Sequence, residues 1–234
     1  MAVSFGEQIH ALTGFDGDST ASSEIGENFD DVTAEWMNSA IREVINVLPS
    51  KLKQKCSVVS ILNTSNGTTL DLDGKGEILQ VTRKYASDKY QIPCREISPL
   101  LSDLANDPSS IHTASATDPI FYKVSNSSSA STLFVLPTPT NSEPSNVYHV
   151  GYPVFDADGS GTNINIKTST SIANFPDEAE YLVVLRAAIN ALEYQSIIEE
   201  DPELYLPHLQ NLKQDYQQGL QMLGALQSQP QQGA

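Results

Sequence analysis

Between Phe175 and Gln195 the chain reads FPDEAEYLVVLRAAINALEYQ, and this run limits the fold more than any other. Pro176 and the acids Asp177, Glu178 and Glu180 suit a first helical turn. There the missing N–H of proline costs nothing, and carboxylates meet the positive end of the helix dipole. After them almost every face is apolar or small. A helix on a domain surface shows a stripe, not a coat, so this one must be covered on most sides. Carried to Glu199 it has about 24 residues and spans roughly 36 Å, and Pro202 breaks it. Two sources of cover are open: the chain's own helices at 31–47 and 207–226, or sister subunits. Arg186 is the only charge between Tyr181 and Leu192. Within one chain it needs a buried acid partner; at a subunit boundary it can pair across the interface.

The candidate partners lie near both ends. Ser4 and Glu7 make a capping-box signal, with Phe5, Ile9 and Leu12 on one face and a stop at Gly14. Residues 16–29 are acidic and loop-like. A helix follows from Asp31 to Val47, with Val32, Trp36, Ala40, Val44 and Leu48 on one stripe and Pro49 beyond it. Trp36 reads as a core anchor of that stripe. The last helix, 207–226, carries Leu209, Leu212, Tyr216, Leu220 and Leu223 on a narrow stripe, enough to pack on one neighbour. The tail QSQPQQGA reads as disordered.

From Ser57 the periodicity shortens. SVVSIL, TTLDL, EILQVTRKY, YQIPCREI, IFYKVSN, STLFVLPT and NVYHVGYPVF read as strands between Asn-Gly, Asp-Gly and Ser- or Pro-rich connectors. PLLSDLAND suggests one or two helical turns, and INIKTSTSI a further strand or a loop. No connector looks long enough for a parallel crossover, which predicts antiparallel pairing. The fold class expected is α+β: a helical bundle formed by N- and C-terminal helices with an inserted antiparallel β-rich module. Its boundaries are 1–56 for the first helices, 57–171 for the module, 172–228 for the last helices and 229–234 for a flexible tail.

The formal net charge is −16, from 29 acids against 13 bases. Affinity for phosphate comes from Lys and Arg, so this balance argues against wrapping nucleic acid or lying on an anionic membrane. An acidic wall can still let a duplex slide past. No run reaches the ~18 apolar residues of a membrane span, and MAVSFGEQIH lacks the basic and apolar regions of a signal peptide. Cys56 and Cys94 sit in no metal-ligand spacing and read as reduced thiols. DLDGKG from Asp71 and DADGSG from Asp156 resemble the start of calcium loops. Position 12 is Thr82 in one and Lys167 in the other, so both read as tight Asp-Gly turns. No nucleophile elbow, HExxH, P-loop or GxGxxG is present. The residues therefore offer no catalytic, cofactor or metal site, and no enzyme is expected.

One segment has the form I-x-x-FP-x-E-x-x-Y-hydrophobic, here IANFPDEAEYLVVLRAAINALEYQ. It follows the amphipathic helix DVTAEWMNSAIREVINVLP and a Ser/Thr-rich β block, and a second helix comes after the break at DPEL. This layout resembles tailed-phage head-to-tail connector proteins, in particular the tail tubular protein A-like adaptors of short-tailed phages. The resemblance covers most of the chain as a pattern, and its one local motif is the proline-and-acids helix start. It implies a non-enzymatic virion protein without cofactors, forming a ring of about twelve copies below the portal. Such a ring extends the DNA channel and offers the tail its attachment site. The implied partners are sister subunits, the portal protein and tail or tail-nozzle proteins, with DNA passing unbound and no membrane. The implied location is the neck of the virion, after synthesis in the host cytoplasm. On this reading Arg186, Tyr181, Tyr194 and Trp36 are candidate oligomer-interface residues. The long middle region also fits a neck or tail-completion protein. A fibre or decoration protein, whose β module binds host surface or other virion proteins, is the alternative.

Overall fold

The structure is a computed structural model that describes residues 3–14, 29–85, 90–125, 131–198 and 202–225. Most of the acidic stretch 16–29 and the whole tail 229–234 lie outside the described residues. In chain order the helices are α1 (Phe5–Thr13), α2 (Phe29–Val47), α3 (Ser50–Lys53), α4 (Ser102–Asn106), α5 (Asp177–Ile198) and α6 (Pro202–Ala225). The strands before α4 are β1 (Ser57–Leu62), β2 (Thr69–Asp71), β3 (Ile78–Lys84), β4 (Gln91–Pro93) and β5 (Arg95–Glu96). Those after it are β6 (Ile120–Ser125), β7 (Ser131–Leu136), β8 (Ser145–Val150), β9 (Phe155–Asp156) and β10 (Ile164–Asn165). This is an α+β fold. It divides into two compact units, a helical unit of Met1–Cys56 with Tyr152–Ala234, and a strand unit, Ser57–Gly151.

In the helical unit α5 is the spine, and α1, α2 and α6 pack on it. Leu182, Val183, Val184, Leu185, Ile189 and Leu192 are buried, each worth roughly 1.5–3 kcal/mol relative to exposure. Ala187, Ala188 and Ala191 between them are buried too and leave room for close neighbours. The coat of α5 is thus covered by helices of its own chain. Trp36 of α2 meets Tyr194 of α5, and Glu43 meets Arg186, so these two helices run antiparallel. α6 comes so near that a Cβ on Gly219 would lie 2.4 Å from Leu182 Cδ2. α1 has its full capping box: Glu7 donates its N–H to Ser4 Oγ (3.3 Å), and Ser4 donates its own to Glu7 Oε2 (2.8 Å). Gly14, at φ 75°, closes it by donating to the His10 carbonyl.

Two readings of the sequence change here. The last helix begins at Pro202, not at 207, and Pro207 sits inside it. Proline is at home at a first helical position. Pro207 follows so soon that it removes one early hydrogen bond on an exposed face, which the helix tolerates. The second change is the boundary at 171. Residues from Tyr152 onward belong to the helical unit, because backbone groups of this segment are claimed by helices. Asn38 of α2 donates to the Phe155 carbonyl (3.0 Å) and accepts the Phe155 N–H (2.7 Å). Gly6 of α1 donates to the Ile166 carbonyl (2.9 Å). Phe5 packs edge-on against Phe155.

The strand unit is a sandwich of two four-stranded sheets, ordered β1-β8-β3-β4 and β2-β7-β6-β5. Leu62, Val81 and Val147 of the first sheet share a core with Phe121, Leu133 and Val135 of the second. YQIPCREI, expected as one strand, serves both sheets. Cys94 donates to the Val81 carbonyl (2.8 Å), and the next residue, Arg95, donates to the Pro119 carbonyl (2.9 Å), so the run changes sheets at Cys94. The expectation of purely antiparallel pairing fails at two short places. β5 is parallel to β6, and β10 is parallel to β9. The connector from β5 to β6 holds α4 and the turn before it, so PLLSDLAND forms part of the crossover that joins this parallel pair.

Candidate functional site

Three of the four candidate interface residues lie along the contact of α2 with α5. Trp36 is half-buried and meets the exposed ring of Tyr194 edge-on, with centroids 5.7 Å apart. Farther along, Arg186 Nε donates to Glu43 Oε2 at 2.7 Å. Both partners are part-exposed, which puts the pair at about 1 kcal/mol. The acid that an intrachain Arg186 requires is therefore present, on α2. Tyr181 stands apart and exposed near the start of α5.

Sequence reasoning missed the residues that complete this contact. Glu43 falls seven positions after Trp36, the i+7 spacing that returns to the same helix face, and that was the available signal. Tyr216 of α6 lies beside the pair and is 8% exposed. Its buried hydroxyl has no partner within hydrogen-bonding geometry among the described residues. Burial, reinforced by the Glu43 carboxylate and opposed by Arg186, pushes that hydroxyl up to about 12. Lys213 Nζ then meets Glu193 Oε1 at 2.7 Å. This charged and aromatic seam runs across three helices, and its charged groups pair with one another, Arg186 with Glu43 and Lys213 with Glu193.

The strand unit has an ion pair of its own, buried on the arginine side and half-buried at Glu143. Arg83, 3% exposed, donates from Nη2 to Glu143 Oε2 (2.8 Å) and from Nε to the Pro137 carbonyl (3.1 Å). Truncating one partner of such a pair costs on the order of 3–5 kcal/mol. Ser60 Oγ lies 3.0 Å from His149 Nε2, a spacing suited to a nucleophile and its base. The third group is a backbone carbonyl, that of Val150 at 3.1 Å from Nδ1, and His149 is buried. The contact ties β1 to β8.

The two Asp-Gly loops spend their carboxylates on themselves. Asp156 Oδ1 accepts from the N–H of Asp158 (2.8 Å) and Gly159 (3.2 Å), and Oδ2 accepts from Ser160 Oγ (2.8 Å). These bonds hold its carboxyl below the usual range, with the Asp158 amide as the main cause. Asp71 Oδ1 accepts from the Asp73 N–H in the same manner. Among the described residues no three His, Cys, Asp or Glu side chains gather as a metal ion would need. Burial pushes the free thiols up, Cys56 to about 11 and Cys94 to about 12, so both are weak nucleophiles near neutrality. No helix among the described residues is long and apolar enough to cross a membrane. No protein-family model matches the chain, and no curated protein matches it.

Proposed function

We propose that the chain is a structural virion protein of a tailed bacteriophage, a head-to-tail connector subunit. In this reading about twelve copies form a ring below the portal, extend the DNA channel and offer the tail its attachment site. The observation that carries it is the build of the helical unit. Helices from both ends of the sequence close on one apolar spine, and the strand unit is carried as an insertion between them. Such a subunit has a rigid bundle for neighbours to pack on and a separate module for a second partner. The net charge of −16 suits a channel wall that does not hold a duplex. Exposed Tyr181 and Tyr194, with Trp36 beneath, offer aromatic area of the type enriched at interfaces. Portal and tail proteins are the partners in this reading, the virion neck is the location, and neither cofactor nor catalysis is involved.

A second reading, a fibre or decoration protein, draws on the crossover of the strand unit, where Leu100 and Ile111 stand almost fully exposed. Electron microscopy of the purified protein, alone and with the portal of the same phage, separates the two. A closed ring in either sample is the expected result. A compact monomer in both samples sinks the connector reading, and binding to host-surface glycan by that monomer supports the second.

A further inference from the structure

The four outer strands of the sandwich are β1 and β4 in one sheet and β2 and β5 in the other, and their free edges are not alike. β4 has three residues and ends in Pro93, which has no N–H to offer. β5 has two residues, both charged, with Arg95 paired to Asp118 and Glu96 to Lys123. β2 has three residues and ends at Asp71, whose carboxylate is turned onto the Asp73 amide. Shortness, charge and proline are the ways natural sheets blunt an edge. β1 uses none of them. It is six residues long and pairs with β8 without a bulge. It holds neither proline nor charge, and it exposes Val58 (39%), Val59 (45%) and Ile61 (50%).

We propose that the free edge of β1 pairs antiparallel with β1 of a second copy of this chain, joining two four-stranded sheets into one continuous sheet. Charge selects this occupant. The chain carries −16, and a site for a basic partner would display acids. β1 and its neighbour β8 carry no Asp, Glu, Lys or Arg. A neutral edge is where two copies of an acidic protein meet with least repulsion. The sequence of β1 also matches itself. Pairing centred on Ser60 sets Val59 opposite Ile61 of the second copy on the same sheet face, a β-branched cross-strand pair of the favourable kind. Ser60, tied to His149, keeps β1 seated on β8, and no strand among the described residues pairs with its other edge. One strand pair buries far less than the ~1,600 Å² of a standard interface, so the contact is weak alone and forms as concentration rises. Its two-fold symmetry sets it apart from the head-to-tail contacts that build a ring, so it does not depend on the connector reading.

The test is sedimentation of the full chain over a wide concentration range, at low and high salt, with hydrogen exchange on β1. The wild type is expected to double in mass with concentration, from monomer to dimer or from ring to paired ring. Doubling should strengthen with salt as the like charges are screened, and β1 amides should gain protection alongside it. Val59→Lys is expected to weaken doubling at least about tenfold with an unchanged thermal midpoint, since Val59 is exposed. Val59→Thr, neutral and β-branched, should retain it. No doubling by the wild type, doubling equal in Val59→Lys, or doubling without protection of β1 would each overturn the proposal.

Discussion

Arg186 Nε lies 2.7 Å from Glu43 Oε2, so the one charge in the apolar stretch of α5 is answered from α2 of the same chain. Removing either partner leaves the other with part of its charge unmatched in a half-buried seam. Arg186→Ala and Glu43→Ala should each lower unfolding stability by about 1–2 kcal/mol. The double variant should lose clearly less than the sum. Urea unfolding of the four proteins measures this, and strictly additive losses would show that the pair contributes nothing.

Tyr216 gives the fold an alkaline weakness. Its folded-state value is raised to about 12, against about 10 in an unfolded chain. Between the two the native state holds the proton and the unfolded state has released it. The contribution is therefore complete below about pH 10 and is lost as pH climbs towards 12. The thiols of Cys56 and Cys94, also raised, act in the same direction. Tyr216→Phe removes one share of the decline. Between pH 7 and pH 11 it should lose less stability than the wild type. A wild-type alkaline limb parallel to that of the variant would contradict this.

Gly219 is a contact glycine. Alanine is the better helix former by about 1 kcal/mol, so a free surface position would gain from Gly219→Ala. Here the new methyl meets Leu182 Cδ2, and Leu182 is packed in the core of the helical unit. Overpacking of that kind costs typically about 1–3 kcal/mol, so a net loss is expected. Adding Leu182→Ala should cost less in the Gly219→Ala background than in the wild type. Thermal melts of the four combinations decide it, and a stabilised Gly219→Ala protein would mean that α6 sits farther off.

The sequence disclosed the features that are local. Ser4, Glu7 and Gly14 specify α1 because a cap is written in neighbouring residues, and the stripe of α2 from Val32 to Leu48 reports its buried face by period alone. The coat of α5 disclosed that cover exists without naming the cover, since the same apolar faces suit a sister helix or a sister subunit. Glu43 escaped notice because its partner is far away in the chain. PLLSDLAND looked too short to matter, and the parallel pairing of β5 with β6 went unseen with it. In YQIPCREI the alternation carries through Cys94 and hid the break that Pro93 marks, so the change of sheets there went unseen.

The insertion has a consequence in time. The strand unit is one continuous stretch, Ser57–Gly151, whereas α2 finds its main support in α5, well beyond that stretch. A ribosome adds roughly 5–20 residues per second, so α2 emerges on the order of ten seconds before the helix that covers it. Through that interval Met37, Ile41, Val44 and Ile45, all buried in the finished protein, have no spine to rest on. The sandwich, whose strands pair among themselves, can close in the meantime. The nascent chain is therefore most open to chaperones, and to misplaced contacts with its own kind, along a single helix face during a single stretch of synthesis.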